Sequence, residues 1–364
     1  MRQRTVSDPA WLDSTRAPRD EEAIDATALA AWMREAVPEA LGDGAATLAV
    51  TQFGGGFSNL TYLVRGGVRE LVLRRPPRGA GAGPAHDMAR EVRVLRAVWP
   101  ITHQVPEPIA YCDDATVLGA PFYLMSRVRG VILRDRPPEG VSLDAVTMHR
   151  LCDAFVQGMA ALHTIDVHAT GLASLGRADG YVPRQVDGWT RRWEAARTVD
   201  VPDMDALAAW LASHQPVVNG GAPSALIHND YKFDNLVLDP DDLTQVRAVL
   251  DWEMATIGDP LMDLGTTLAY WTEADDPPLF RALGLGITAQ PGAWTRAELI
   301  GAYARITGRD VAAMRFYSAF GRFKLAVVAQ QLHARFVRGA SADPRFARLD
   351  AVVQVLAAQG LSGV

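Results

Sequence analysis

Two cysteines are present in 364 residues, Cys112 and Cys152. They form no CxxC or other metal-ligand spacing, so a cysteine metal centre is excluded. The pair reads as reduced thiols of a cytosolic protein. No apolar run of about 20 residues occurs, so no membrane span is expected. The first residues lack an apolar signal-peptide core, which argues against secretion. Positive charge is not in excess either. A formal net charge of −6 gives no general signal for a nucleic-acid partner. Internal repeats and low-complexity tracts are absent. What remains is an ordinary globular balance, 49% hydrophobic and 21% charged residues, in a chain long enough for one large domain or two lobes.

Residues 1–24 mix Arg, Asp, Glu and Pro and read as a solvated arm that packs on the body or is partly disordered. The spacing of Leu29, Trp32 and Met33 predicts a helix over 25–36, with Asp25 as N-cap. Short apolar runs at 47–53, 60–64 and 70–74 predict strands. Gly54–Gly56 and Gly66–Gly67 part them, as in an antiparallel meander. Residues 86–98 have helical spacing, and 109–111 and 122–125 read as two more strands. After Gly130 the pattern is mostly helical, with amphipathic segments at 148–165, 205–214, 261–271 and 316–337. Short strand runs at 226–227, 236–238 and 246–250 bracket one motif. The expected fold is α+β, with a strand-rich region over 25–126 and a helical region over 127–364.

That motif is His228-Asn229-Asp230-Tyr231-Lys232-Phe233-Asp234-Asn235, with Asp251 at the end of the next apolar run. His228, Asp230 and Asn235 have the spacing of a protein-kinase catalytic loop, H-x-D-x-x-x-x-N. The residue types suit phosphoryl transfer from a nucleotide. The Asp230 carboxylate orients a hydroxyl nucleophile and accepts its proton. Lys232 offsets charge on the moving phosphoryl group. Asn235 and Asp251 offer the hard oxygen ligands that magnesium takes alongside phosphates and water. His228 reads as loop support. Glu253 is either a further metal ligand or a local hydrogen-bonding residue. Asp259 before Pro260 reads as the N-terminal residue of a helix.

On this motif, and on the block Leu-Asp-Trp-Glu-Met-Ala-Thr-Ile-Gly-Asp-Pro-Leu-Met-Asp-Leu-Gly at 250–265, the chain resembles the aminoglycoside phosphotransferase-type small-molecule kinases. The likeness runs from about Gln52 to about Gly339. Within that family it most resembles the branch found as stand-alone bacterial proteins or fused to acyl-CoA dehydrogenases. The resemblance implies a protein-kinase-like two-lobe fold, ATP and magnesium as cofactors, and a small-molecule acceptor. It also implies that Asp263 braces the catalytic loop. Asp-Trp-Glu replaces the Asp-Phe-Gly of protein kinases at 251–253, which matches the small-molecule branch. Gly55 and Gly56 lie in a turn whose backbone N–H groups would meet nucleotide phosphates, with Ser58 or Asn59 beside them. Arg74 stands where protein kinases carry a strand Lys, with Glu91 as its partner and Arg75 as the competing register. Ser126 and Val128 fall in the hinge segment, where adenine binds through backbone groups.

The acceptor is read from charge. Residues 261–364 hold eight acidic and eleven basic side chains, a balance of +3 in a chain totalling −6. A basic region argues against a polycationic antibiotic and for an anionic acceptor. The helix at 316–337 carries Arg322, Lys324, Gln331, His333 and Arg335. Trp189, Trp193, Tyr270 and Trp271 form either an apolar wall or part of the core. An anionic head on an apolar body fits a hydroxyacyl-CoA or a hydroxy acid. The alternatives are an aminoglycoside- or choline-type kinase, and a nucleotide-binding pseudokinase without turnover.

Overall fold

The protein is described from a computed structural model over residues 8–41, 47–54, 59–77, 86–217, 224–341 and 343–364. In chain order its strands are β1 (Thr15–Arg16), β2 (Ala49–Phe53), β3 (Leu60–Arg65), β4 (Leu71–Arg75), β5 (Pro108–Cys112), β6 (Phe122–Ser126), β7 (Ala225–Ile227), β8 (Leu236–Leu238), β9 (Val246–Val249) and β10 (Thr256–Gly258). Its helices are α1 (Ala26–Ala36), α2 (Pro38–Leu41), α3 (Met88–Thr102), α4 (Ala115–Leu118), α5 (Ala145–His163), α6 (Tyr181–Ala196), α7 (Pro202–Ser213), α8 (Pro260–Tyr270), α9 (Pro278–Arg281), α10 (Arg296–Thr307), α11 (Met314–Val337) and α12 (Leu349–Ser362). Among the described residues no helix is long and apolar enough to cross a membrane.

The chain divides into two compact units. One is Met1–Ile132 with Pro138–Val141 and Asn235–Ala255; the other is Leu133–Pro137, Ser142–Asp234 and Thr256–Val364. This differs from the single cut expected between 126 and 127. The β8–β9 hairpin joins the first unit because Val131 and Leu238 exchange backbone bonds of 2.9 and 2.8 Å.

In the first unit a six-stranded antiparallel sheet has the order β1-β2-β3-β4-β6-β5. The glycine-parted runs form the meander β2-β3-β4, after which β6 takes the place beside β4. All five residues of β4 are buried, as befits a strand paired on both sides. Val64, Leu71, Leu73, Phe122 and Leu124 pack against Leu29 and Met33 of α1. Each such buried side chain contributes about 1.5–3 kcal/mol. Asp25 caps α1 by accepting from Thr27 N and Ala28 N. Of the arm, residues 15–16 add β1 to the sheet edge, and Tyr62 donates to Glu22 O at 2.6 Å. Residues 8–24 therefore pack on this unit.

The second unit is built on α8 and α11. From Pro260 to Ala269 every residue of α8 is buried, so the helix is enclosed on all sides, and its polar residues Asp263, Thr266 and Thr267 are each hydrogen-bonded. The two helices meet at glycines. A Cβ on Gly321 would stand 2.0 Å from Gly265 O, and one on Gly265 would stand 2.2 Å from Tyr317 O. Only residues without a side chain permit that approach. Helices α6, α10 and α12 fall outside the periodic segments of the sequence. Pro183 and Gly188 interrupt the pattern of α6. Helix α10 carries a full Thr295–Glu298 capping box, a sequence signal that marks its start.

Candidate active site

The loop 228–234 belongs to the second unit and leaves β7, which pairs with β10 through Ile227 and Thr256. Asp263, in the first turn of α8, accepts His228 N at 2.6 Å on one carboxylate oxygen and Asn229 N at 2.7 Å on the other. His163 adds a contact of 3.2 Å and is itself held by Tyr303. Burial works against the charge on Asp263, but His163, His228 and these bonds hold its carboxyl below the usual range. Asp259 fixes the start of α8, accepting from Leu261 N at 2.9 Å and from the Tyr317 hydroxyl at 2.7 Å.

The rest of the loop is pinned residue by residue. Asn229 is left-handed, with φ 65°. Its carbonyl accepts from Lys324 Nζ at 2.8 Å. Asp230 N donates to His228 Nδ1 at 3.3 Å, so His228 supports the loop from a buried position. Tyr231 donates to Phe155 O, and Thr267 donates to Tyr231 O. Phe233 packs against Phe155 and Trp271.

The Asp230 side chain remains 21% exposed, with Lys232 Nζ 3.2 Å from its Oδ2. The ammonium also lies 4.5 Å from the Tyr270 ring centroid. Burial opposes the charge on Lys232, yet Tyr270 and the carboxylates of Asp230 and Asp234 outweigh it and raise its pKa. Burial, then Asp230, likewise raises the Tyr270 phenol. Tyr270 is a site neighbour that sequence reasoning placed only in an aromatic wall. That wall does not form as such. Trp193 and Trp271 are buried core residues whose indole N–H groups bind Asp205 and Trp294 O.

A second cluster lies within the first unit. Arg74 Nη1 stands 2.9 Å from Glu91 Oε1, and Nη2 stands 3.0 Å from Asp251 and 3.3 Å from Glu253. Arg75 takes the other register and turns to Leu118 O and Glu22 O. Burial pushes the Glu91 carboxyl up, with Arg74 opposing and Asp251 adding to the shift. Three carboxylates thus share one guanidinium, so acidic groups outnumber the cation at this end of the cluster. Asn235 faces Leu250 across the β8–β9 hairpin, its carbonyl accepting Leu250 N at 2.8 Å. This brings the Asn235 amide and the Asp251 carboxylate to the same end of the hairpin. Asp251 turns out of β9 with φ 64°. An amide oxygen and a carboxylate beside surplus negative charge fit magnesium.

Asn59 donates to Glu253 at 2.8 Å and meets His86 at 3.0 Å. Ser126 ends β6 and is tied to Glu107, whose N–H its hydroxyl accepts at 2.9 Å. Val128 is half-buried just beyond. Gly55, Gly56 and Ser58 lie outside the described residues.

A family model described as the phosphotransferase enzyme family matches residues 49–317. Acyl-CoA dehydrogenase family member 11 of Rattus norvegicus is 35% identical over 341 residues, 93% of this chain and 43% of that protein. The chain therefore spans less than half the length of the curated relatives it first matches. A crystal structure of a putative aminoglycoside phosphotransferase from Ralstonia eutropha superposes with TM-score 0.77 at 30% identity, covering 94% of this chain and 98% of that one. The GDP complex of wild-type aminoglycoside 2'-phosphotransferase-IIIa superposes with TM-score 0.61 at 15% identity, covering 93% and 100%. This last likeness is one of fold alone.

Proposed function

The chain belongs to the phosphotransferase enzyme family and has its protein-kinase-like α+β fold, and on that premise we propose that it transfers the γ-phosphoryl group of ATP to a hydroxyl of a small, anionic and partly apolar molecule. A hydroxyacyl-CoA or a hydroxy acid is the acceptor class. The observation that carries the reading is the Asp230 loop. Its backbone is fixed at Asn229 and at Tyr231, on either side of Asp230, while the carboxylate stays partly exposed beside Lys232.

In this reading Asp230 accepts the acceptor's hydroxyl proton. The hydroxyl oxygen bonds to the γ-phosphorus as the bond to the β–γ bridging oxygen breaks, and ADP leaves. Lys232 offsets charge on the transferred group. Asn235 and Asp251 hold magnesium, with Glu253 beside them. The metal supplies neutralisation of the phosphate charge when bound. Arg74, seated on Glu91, is a ligand for the remaining phosphates, and its bond to Asp251 is the one that phosphate replaces. Asn59 meets phosphate. Ser126 and Val128 bracket the adenine.

The acceptor's charge is inferred from the region 261–364. Six of its eight carboxylates are engaged within the fold. Asp263 holds the loop, Glu273 and Asp276 hold Arg296, Glu298 caps α10, Asp310 binds Ala312 N and Asp343 holds Arg345. Arg309, Arg315, Arg322, Lys324 and Arg338 instead donate to backbone carbonyls, with Asp259 acting on Arg309, Asp276 and Glu273 on Arg322, and Asp230 and Asp263 on Lys324, so the region keeps its excess of positive charge. This favours an anion over a polycation. The alternative of a cationic acceptor takes its support from the Ralstonia eutropha relative's description.

The test is ADP release from ATP and magnesium against hydroxyacyl-CoAs, hydroxy acids, aminoglycosides and choline. Turnover with an anionic hydroxy compound is expected, and Asp230→Asn is expected to lower kcat by about 10²–10⁴-fold. Turnover confined to the cationic compounds overturns the acceptor assignment. Nucleotide binding without Asp230-dependent turnover identifies a pseudokinase.

A further inference from the structure

Two lysines occur in this chain, Lys232 and Lys324, against 34 arginines (36 Lys+Arg less 2). Both lie at the loop 228–234. Lys232 is part of it. Lys324 comes from α11, is 6% exposed, and donates to Asn229 O at 2.8 Å. Thr266 Oγ1 on α8 stands 3.5 Å from its Nζ, and the Trp189 ring on α6 stands 5.7 Å away. Among the described residues Lys324 makes no ion pair.

A buried ammonium without a carboxylate partner is costly, and an apolar side chain would fill the same space at less cost. The fold alone gives no reason to keep a charge there. The residue it touches supplies one. Asn229 is left-handed, a conformation asparagine takes more readily than most L residues but one that still costs free energy relative to the right-handed regions unless its neighbours hold it. Its N–H is fixed by Asp263 of α8 and its carbonyl by Lys324 of α11. The next residue is Asp230. A change of backbone conformation at Asn229 re-aims the Asp230 carboxylate.

We propose that Lys324 is a positioning residue: its bond to the Asn229 carbonyl, opposite the Asp263 bond to the Asn229 N–H, holds the left-handed turn that aims Asp230 at the acceptor hydroxyl. The role in turnover rests on the phosphotransferase reading above. It also accounts for a lysine in an arginine-rich chain. A compact ammonium suits the Asn229 carbonyl and the nearby Thr266 hydroxyl in a closed space, whereas a planar guanidinium brings five donors, more than these two oxygens accept. Burial pushes the Lys324 ammonium down to about pKa 8, with Asp230 and Asp263 opposing and Lys232 and Arg192 adding to the shift.

Lys324→Met and the double variant Lys324→Met/Asn229→Gly, each in the full chain, test the proposal. The first readout is ADP release with MgATP and the best acceptor of the panel. The second is hydrogen exchange of the 228–234 segment without nucleotide. Lys324→Met is expected to lose about 10- to 100-fold in kcat, the scale of a misplaced catalytic group, with KM for ATP unchanged. Exchange is expected to rise in the loop and not across α5, α8 and α11. Adding Asn229→Gly is expected to restore a large part of kcat, because glycine takes a positive φ without strain. The proposal is overturned if kcat is unaffected, if activity falls only with the folded fraction, or if glycine restores nothing. If wild type releases no ADP with any acceptor, the functional reading fails by itself. The exchange comparison then decides the clamp: a loop loosened by Lys324→Met supports it, and unchanged exchange overturns it.

Discussion

At the scale of single residues, charges are held where the chain needs geometry rather than where they are cheapest. Arg74 is the only cation within ion-pair distance of buried Glu91 among the described residues. Removing one member of a buried pair strands the other, so Arg74→Met is expected to destabilise by about 3–5 kcal/mol. Urea unfolding measures it, and a loss under about 1 kcal/mol would show that Glu91 is not dependent on Arg74. Lys324 gives a prediction with a sign. Its folded pKa, about 8, lies below the usual lysine value of 10.5. Between those values the unfolded chain binds the proton and the folded chain does not. Stability of wild type relative to Lys324→Met should therefore rise with pH from about 8 to 10.5, by up to about 3 kcal/mol. Denaturant midpoints of both proteins across that window check it. A flat difference would mean that the ammonium is not desolvated.

At the scale of elements, the loop is only as well placed as the helices that hold it. Helix α8 brings Asp263 and helix α11 brings Lys324, and the two touch at Gly265 and Gly321. Gly321→Ala puts a methyl group against the Gly265 carbonyl. The expected cost is about 1–3 kcal/mol from overpacking. Turnover should fall with it, because separating the helices pulls Asp263 and Lys324 apart at Asn229. Alanine at exposed Gly339, the control, meets no atom within 4 Å but takes a φ of 71°, so its effect reports backbone strain without overpacking. Equal activity in Gly321→Ala and wild type would separate the helix contact from the chemistry. The cap at Asp259 acts on the same helix. Asp259→Ala removes its bonds to Leu261 N and Tyr317 and is expected to cost about 1 kcal/mol or somewhat more, read as a lowered melting temperature.

At the scale of the whole molecule, ligands that bind only the folded chain raise its stability by mass action. MgATP at 100 times its Kd is expected to add about 2.7 kcal/mol. A chelator should remove most of that gain in wild type. In Asp251→Ala the gain should be small with or without chelator, since the carboxylate proposed to hold the metal is gone. Differential scanning fluorimetry reads all four conditions. A gain from ATP that chelation leaves intact would remove magnesium from the site.

The loop from His228 to Asp234 was legible as a tight turn bearing polar groups because a turn and the groups on it are local, and the Asp259 and Asp263 block after it could be read the same way. The strands β2 to β9, the caps at Asp25 and Asp259 and the amphipathic helix α5 were legible for the same reason, since propensity and periodicity act over a few residues, whereas β1 and β10 are short pieces whose strand state comes from their partners. Other features had no local signature. Helices α8 and α11 are buried on most sides, so apolar periodicity says little about which face meets what. Arg74 and Asp251 lie 177 positions apart, and Lys324 and Asn229 lie 95 apart. The sequence by itself determined the chemistry available and the elements that carry it. Only the tertiary structure decided that Arg74 gathers three carboxylates, that Trp193 and Trp271 belong to the core, and that one of the chain's two lysines holds the turn before Asp230. Such contacts are set by packing between distant segments, and packing is a property of the folded chain rather than of any stretch of it.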